Sequence, residues 1–271
     1  LMSIASAYAA YLVPKHMTGR AISFVYGGTS LGSVLGVPGA AAIGHFVGWR
    51  PALYVMAALS ALLTVFIAFC LPRIEAPMTR TLRLPSLQSR QAVRIFAVVI
   101  MVNAVFFFAH NLLYTYVSPL LLAHGLSERA LSVALLITGA VSVCGLWGAG
   151  LVVDRWPAAG LFGGGFAMLS GIGLVYGHLL VGWEAVAAVG LWCMGYAAII
   201  PFVMSGAIRA RATSADVAGA AIHSSSNFGI LFGSAIGGHL LSPLGFAVLC
   251  PAAALTALVG LVLAALNPTA F

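Results

Sequence analysis

One apolar stretch carries polar and aromatic side chains whose spacing suits the binding of a small molecule. Asn103, His110 and Tyr114 are separated by seven and four residues, so they share one face of a helix, and Asn111 lies beside them. Burying an unpaired polar group in hydrocarbon is costly, so we expect this face to line a cavity rather than to meet lipid. His110 could also relay a proton; a histidine that is only hydrogen-bonded is the alternative.

A second polar run interrupts apolar sequence at residues 223–228. Ser226 and Asn227 follow His223 by three and four residues, so they lie on its side of a helix. We predict that His223, Ser226 and Asn227 face the same cavity and contact the substrate. Hydrogen bonding between neighbouring helices is the alternative interpretation.

The sequence offers little to an enzyme or a metal site. Its four cysteines are solitary and lie in or at the edge of apolar segments, so neither a metal cluster nor a CxxC redox pair forms locally. The HExxH zinc motif and the Walker A phosphate loop are absent. We therefore expect no catalytic residues, no cofactor and no metal, which leaves gradient-driven transport or passive binding.

Long apolar segments must position these side chains. Hydrophobic residues make up 62% of the chain and charged residues 6%, which would leave a soluble protein of this size without a solvated surface. Since the segments are continuous rather than alternating, the predicted fold is an all-α polytopic membrane helical bundle and not a barrel. Eight segments lack Asp, Glu, Lys and Arg and exceed the roughly 20 residues that span a bilayer, with residues 1–13 as part of a ninth: residues 21–46, 51–71, 95–123, 130–153, 158–182, 185–208, 217–241 and 244–266.

The basic residues predict the orientation of the chain in the membrane. Ten of the twelve fall in alternate gaps on one side, whereas Arg50 and Arg129 fall on the other. The positive-inside rule places the larger group and the C-terminus in the cytoplasm. The longest gap, residues 72–94, is predicted to be a cytoplasmic linker, or a basic anchor on lipid headgroups. Because the charges are dispersed, the net charge of +7 does not indicate nucleic-acid binding.

An internal repeat predicts two parallel halves. A shift of 197 residues places Gly32 on Gly229, Gly36 on Gly233 and Gly48 on Gly245. The offset spans six helices, so both copies have the same orientation. Residues 1–71 would be the fourth to sixth helices of a first half, residues 95–271 a complete six-helix second half, and roughly 100 residues would precede Leu1.

Two stretches, from Gly32 through Gly36-Val37-Pro38-Gly39 and from Gly150 to Arg155, resemble motifs of a known family. The first is similar to the fifth-helix antiporter signature, and the second to the eighth-to-ninth loop, of the major facilitator superfamily. In particular, they resemble its twelve-helix drug and sugar proton-antiporter branch of arabinose-efflux-like permeases. Small residues at Gly32, Gly36 and Gly39 would permit close helix contact, and Pro38 would bend the helix. Asp154 and Arg155 could latch one conformational state or simply fix topology.

The resemblance implies a secondary active transporter in the cell (inner) membrane that exports drugs or sugars, by proton antiport with alternating access. A small-molecule substrate, a proton and the lipid bilayer would be its partners. The apolar segments contain no Asp or Glu, so proton coupling would depend on His110, on His223 or on helices that precede this chain. The alternative is a truncated membrane protein that does not transport and instead interacts with other proteins.

Overall fold

The computed structural model describes residues 28, 32, 35–36, 39–44, 46–70, 90–177, 180–213 and 215–271, and these are helical apart from turns and short connections. Seven α-helices follow one another: α1 (Trp49–Cys70), α2 (Arg90–Tyr114), α3 (Val117–Ala123), α4 (Glu128–Val152), α5 (Pro157–Tyr176), α6 (Trp183–Arg209) and α7 (Ala215–Ala265), before a 3₁₀ turn at Pro268–Ala270. The all-α bundle predicted from the sequence is confirmed.

Six of these helices are long and apolar enough to cross a membrane. The longest, α7, has 51 residues and contains a break at Gly245, where φ is 64° and ψ is −169°. It therefore comprises two apolar segments that meet at Gly245, one residue inside the predicted segment 244–266. Pro243, which cannot donate a backbone hydrogen bond, adjoins the break.

Two predicted boundaries were wrong. The apolar segment 95–123 is divided between α2 and α3, because helical geometry is lost at Tyr116, where φ is −112° and ψ is 21°. Pro119 has no N–H to donate to the carbonyl of Thr115, which favours a break at this point. In addition, α2 begins at Arg90, so the last residues of the predicted linker 72–94 are helical. The rest of that linker lies outside the described residues.

Close contact between α2 and α7 depends on glycines spaced four residues apart. A Cβ atom on Gly229 would lie 2.7 Å from the Ala104 carbonyl oxygen, and one on Gly233 would lie 2.6 Å from the Phe108 carbonyl oxygen. A Cβ on Gly237 would collide with the carbonyl oxygen of Leu112. Lipid tails are as apolar as leucine, so such close backbone packing, rather than hydrophobic burial, drives helix association in membranes.

The helices α5 and α6 cross in the same way. A Cβ on Gly164 would lie 2.9 Å from the Gly195 carbonyl oxygen, and one on Gly171 would lie 2.6 Å from the carbonyl oxygen of Ala188. Trp192 follows Ala188 by one helical turn and is fully buried against Gly171. These contacts hold α6 in the interior of the bundle beside α2.

The backbone at Gly48 and Gly245 agrees with the internal repeat. These residues are 197 positions apart, and both have positive φ, 100° at Gly48 and 64° at Gly245. Each precedes an aromatic residue, Trp49 or Phe246, at which a helical segment continues. Both turns therefore contain a glycine with positive φ before an aromatic residue.

Candidate functional site

Four aromatic side chains form a cluster between α2 and α6. The imidazole of His110 stacks on the Tyr196 ring with centroids 3.6 Å apart and an angle of 5° between the planes. The imidazole also stacks on the Tyr114 ring, with centroids 4.6 Å apart and an angle of 22° between the planes. The indole of Trp192 lies 5.4 Å from His110 and meets Tyr114 edge-on at 6.1 Å. We call His110, Tyr114, Trp192 and Tyr196 the aromatic cluster.

Helix periodicity brings these side chains together. On α2, His110 and Tyr114 are one turn apart, and Phe107 extends the same face to within 5.2 Å of the Tyr196 ring. On α6, Trp192 and Tyr196 are also one turn apart. Asn103 and His110 are buried and Tyr114 is half-buried, so their shared face packs inside the bundle. That this face lines a cavity for the substrate stays a prediction.

Two ring nitrogens of the cluster are buried without a hydrogen-bond partner in the described part of the chain. They are Nδ1 of His110, whose side chain is 6% exposed, and Nε1 of Trp192, whose side chain is 0% exposed. Unpaired buried polar atoms are rare and costly in folded proteins. The aromatic cluster therefore combines ring surfaces for stacking with two nitrogens that can bind a polar group.

Asn103 connects α2 to α7. Its Nδ2 atom lies 2.8 Å from Ser225 Oγ, 3.0 Å from Ser226 Oγ and 3.1 Å from the Ile222 carbonyl oxygen. Both serine hydroxyls donate to that same carbonyl. These contacts match the hydrogen bonding between helices that was the alternative interpretation for residues 223–228. Asn103 Oδ1, in contrast, has no partner among the described residues.

The other predicted binding residues are more peripheral. Asn111 is half-buried, and its amide donates to the Phe107 carbonyl oxygen of its own helix at 2.9 Å. His223 is half-buried on α7, and Asn227 is exposed. The structure therefore brings Asn103 and Ser226 together, places His110 with Tyr114, and leaves Asn227 apart from both groups.

The predicted conformational motifs lie away from the aromatic cluster. No described atom comes within 4 Å of where a Cβ on Gly32, Gly36 or Gly39 would lie, and Pro38 is outside the described residues. Asp154 and Arg155 are exposed between α4 and α5. The Arg155 guanidinium lies over the ring of Trp156 at 4.9 Å. The role of these residues in conformational change stays a prediction.

The sequence did not identify Trp192 and Tyr196 as members of the aromatic cluster, or Ser225 as a partner of Asn103. Trp192 and Tyr196 lie one turn apart in an apolar run, and each carries a polar atom on an aromatic ring, which is the pattern that made the α2 residues candidates. In the parts of the chain that the structure describes, no three His, Cys, Asp or Glu side chains lie close enough together to hold a metal ion.

Comparisons with known proteins identify the family. The sequence matches the family model described as Major Facilitator Superfamily over residues 1–222. A chloramphenicol resistance protein of Streptomyces lividans is 32% identical over 193 residues, which are 69% of this chain and 45% of that protein. A probable sugar efflux transporter of Mannheimia succiniciproducens is 26% identical over 252 residues, 90% of this chain and 62% of that protein.

The inner membrane transport protein YdhP of Escherichia coli K12 is 26% identical over 246 residues, 88% of this chain and 61% of that protein. The chain thus spans 45% to 62% of the length of these three relatives. They include proteins named for drug resistance and for sugar efflux, the two substrate classes that the sequence motifs implied.

The superfamily consists of transporters, which confirms the prediction that the chain is not an enzyme. The family match covers more than half of the chain, and the long apolar helices have the lengths that membrane crossing requires. This chain is therefore a multi-pass membrane protein that belongs to the major facilitator superfamily.

Proposed function

We propose that the protein containing this chain is a secondary active transporter of the inner membrane that exports small organic molecules, either drugs or sugars, by proton antiport. The aromatic cluster carries the proposal, because it places stacking surfaces and hydrogen-bonding nitrogens inside a bundle of membrane-spanning helices. The names of relatives, which include chloramphenicol resistance and sugar efflux, support export as the direction.

The substrate would be bound by few and mostly neutral contacts. Ring faces of Tyr114 and Tyr196 offer stacking, and His110 and Trp192 offer hydrogen bonds. The apolar segments that form α2 and α6 contain no Asp, Glu, Lys or Arg between residues 95 and 114 or between residues 185 and 208. Binding in this part of the chain therefore favours uncharged molecules. Asn103, Asn111, His223, Ser226 and Asn227 are proposed as further contacts that become accessible as the helices move.

Proton coupling would use a histidine of this chain or a group outside it. His110 is the stronger candidate of the two in the described helices, because it contacts three members of the aromatic cluster, whereas His223 is half-buried on α7. A proton that binds His110 alters the charge of the ring that Tyr114 and Tyr196 sandwich. Substrate and proton would then compete for one location, which is the basis of exchange.

The arginines support a cytoplasmic C-terminus. Arg90 and Arg94 begin α2, Arg155 lies between α4 and α5, and Arg209 and Arg211 lie between α6 and α7. Successive helices alternate in direction across the membrane, so these positions share one side, and the C-terminus follows the second segment of α7 to that side. Asp154 and Arg155 would stabilise one conformation there, and Gly32, Gly36, Pro38 and Gly39 would form the tight helix contact of the other half.

Inside-out membrane vesicles from cells that produce the native protein test the proposal. With an imposed proton gradient, we expect accumulation of radiolabelled chloramphenicol or L-arabinose that an uncoupler abolishes. Vesicles without the protein provide the background. The absence of gradient-dependent accumulation for both probes would contradict efflux of these substrates, and it is the result that the non-transporting alternative predicts.

Substitution of the two histidines separates coupling from binding. We expect His110→Phe to abolish gradient-driven accumulation but to retain exchange of labelled for unlabelled substrate at a saturating concentration that offsets its weaker binding, because exchange needs no net proton movement. His239→Phe, at an exposed position of α7 outside the proposed contacts, is the matched control and should retain both activities. His223→Phe tests the other candidate for coupling. Loss of driven accumulation in His223→Phe alone would assign coupling to His223 instead.

A further inference from the structure

The two unpaired nitrogens of the aromatic cluster belong to adjacent rings. His110 Nδ1 and Trp192 Nε1 are buried without a partner among the described residues, and their ring centroids lie 5.4 Å apart. Nearly all buried polar atoms of folded proteins are hydrogen-bonded, so two exceptions in adjacent rings require a cause. In a transporter the natural cause is a ligand group that pairs with them when it is bound.

The chemistry of the two nitrogens defines that group. An indole N–H only donates, whereas Nδ1 of a neutral imidazole accepts when the proton is on Nε2. A hydroxyl oxygen accepts one hydrogen bond and donates another, so it complements both atoms at once. At hydrogen-bond lengths of about 2.9 Å, one oxygen bridges two nitrogens that are up to about 5.8 Å apart. Rings whose centroids lie 5.4 Å apart meet this requirement when their nitrogens face each other.

We propose that His110 and Trp192 form a subsite for a hydroxyl group of an uncharged substrate. This inference rests on the proposed transport function and specifies the substrate class of the aromatic cluster. A molecule that lacks the hydroxyl leaves both nitrogens buried and unpaired, and such sites discriminate strongly against it. The stacked rings of Tyr114 and Tyr196 add affinity for the flat or apolar part of the substrate.

Access to the subsite requires movement of the surrounding rings. Both nitrogens are shielded in this structure, but Tyr114 and Tyr196 are only half-buried and form the outer edge of the aromatic cluster. Their helices, α2 and α6, belong to a fold in which groups of helices rock against one another. Because α2 and α6 both belong to the predicted second half, that motion moves the first half away from them, and rotation of the Tyr114 and Tyr196 side chains then exposes His110 and Trp192 to the substrate.

Binding of a matched pair of ligands to the purified native protein in detergent tests the subsite. Chloramphenicol, the probe of the efflux assay, has two hydroxyl groups, and its 1,3-diacetate has both of them capped. We expect the wild type to prefer chloramphenicol about tenfold. Trp192→Phe keeps an aromatic ring and removes the donor, so this preference should fall to about twofold or less. A packing defect caused by Trp192→Phe would weaken the binding of both ligands. A steric effect of the acetyl groups would act in the wild type and in the variant alike. Neither effect would abolish the preference for chloramphenicol.

Two further variants sharpen the test. Trp147→Phe is the matched control, because Trp147 lies on α4 and is 74% exposed; its preference should equal that of the wild type. A protein with both Trp192→Phe and His110→Phe should bind the two ligands equally, because His110 Nδ1 can still accept from the hydroxyl when only Trp192 is replaced.

Equal affinity of the wild type for the two ligands would overturn the proposal. So would a Trp192→Phe variant that binds both ligands more weakly but keeps the tenfold preference, because Trp192 would then contribute packing alone. Binding is measured without a gradient, so it is independent of the efflux assay. If the hydroxyl preference depends on Trp192 but the protein shows no efflux, the result supports the subsite and contradicts the proposed function.

Discussion

The side chain of His124 contacts Val175 across two helices. Its Nε2 atom lies 3.0 Å from the Val175 carbonyl oxygen in the last turn of α5, while Nδ1 lies 2.9 Å from the Leu120 carbonyl oxygen of α3. The carbonyl of His124 in turn accepts from the Gly182 amide at 2.8 Å. Carbonyls in the last turn of a helix lack partners within that helix, so His124 provides one from outside. It thereby connects α3, α5 and the residues preceding α6.

Replacement of His124 should lower stability. His124→Phe keeps a ring but loses both nitrogen contacts, which leaves the Val175 carbonyl without this donor. We expect the free energy of unfolding to fall by about 1–3 kcal/mol, seen as a lower Tm of the detergent-purified protein. His239→Phe is the matched control, because His239 is exposed on α7. An equal Tm for the two variants would show that the contacts of His124 contribute nothing to stability.

Replacement of Asn103 should weaken the contact between α2 and α7. Asn103→Leu removes the amide that donates to Ser225, Ser226 and Ile222, and hydrogen bonds between membrane helices contribute about 1–2 kcal/mol. Asn111→Leu is the control on the same helix, since Asn111 bonds only within α2 and should change stability by less than about 0.5 kcal/mol. Thermal unfolding compares the stability of the two variants. Lower stability of Asn111→Leu than of Asn103→Leu would contradict this prediction.

A methyl group at Gly233 should force α2 and α7 apart. The Cβ of Gly233→Ala would lie 2.6 Å from a backbone oxygen, which cannot rotate away, so we expect a loss of about 1–3 kcal/mol. Gly219→Ala, also on α7, meets no atom within 4 Å and should be neutral or gain up to about 1 kcal/mol from its higher helix propensity. Chemical denaturation measures the change in the free energy of unfolding for both variants. Changes of opposite sign would confirm the glycine-dependent contact, whereas equal changes would exclude it.

The turn at Gly245 should require glycine because of its backbone conformation and not because of crowding by neighbouring atoms. No atom lies within 4 Å of where its Cβ would be, but its φ of 64° and ψ of −169° belong to a region that other residues rarely adopt. We therefore expect Gly245→Ala to cost about 1–3 kcal/mol. Gly148→Ala, at an uncrowded helical position of α4, is the control and should not destabilise the protein. If Gly245→Ala unfolds at the same Tm as Gly148→Ala, the backbone strain argued here is absent.

The apolar segments of the sequence predicted most of the helices and the break at Gly245. Membrane crossing imposes this regularity, because each backbone polar group in hydrocarbon must be paired within its own helix. Hydropathy did not predict the division between α2 and α3, since Thr115 and Tyr116 are no more polar than many residues within helices. The break results from a missing backbone hydrogen bond near Pro119. Hydropathy does not measure backbone hydrogen bonding, so it could not predict the break.

Of the aromatic cluster, only the two residues on α2 were predicted from the sequence. Periodicity within one helix placed Asn103, His110 and Tyr114 on a shared face, because the spacing of residues along a helix sets their directions. Which helix lies opposite depends on where backbones can approach closely, and glycines such as Gly171 and Gly233 decide that through contacts with distant residues. The sequence by itself therefore determined the class of protein and its membrane-spanning segments. Only the tertiary structure decided that His110 meets Trp192 and Tyr196 while Asn103 meets two serines, because those pairings depend on how helices pack and not on the pattern within any one of them.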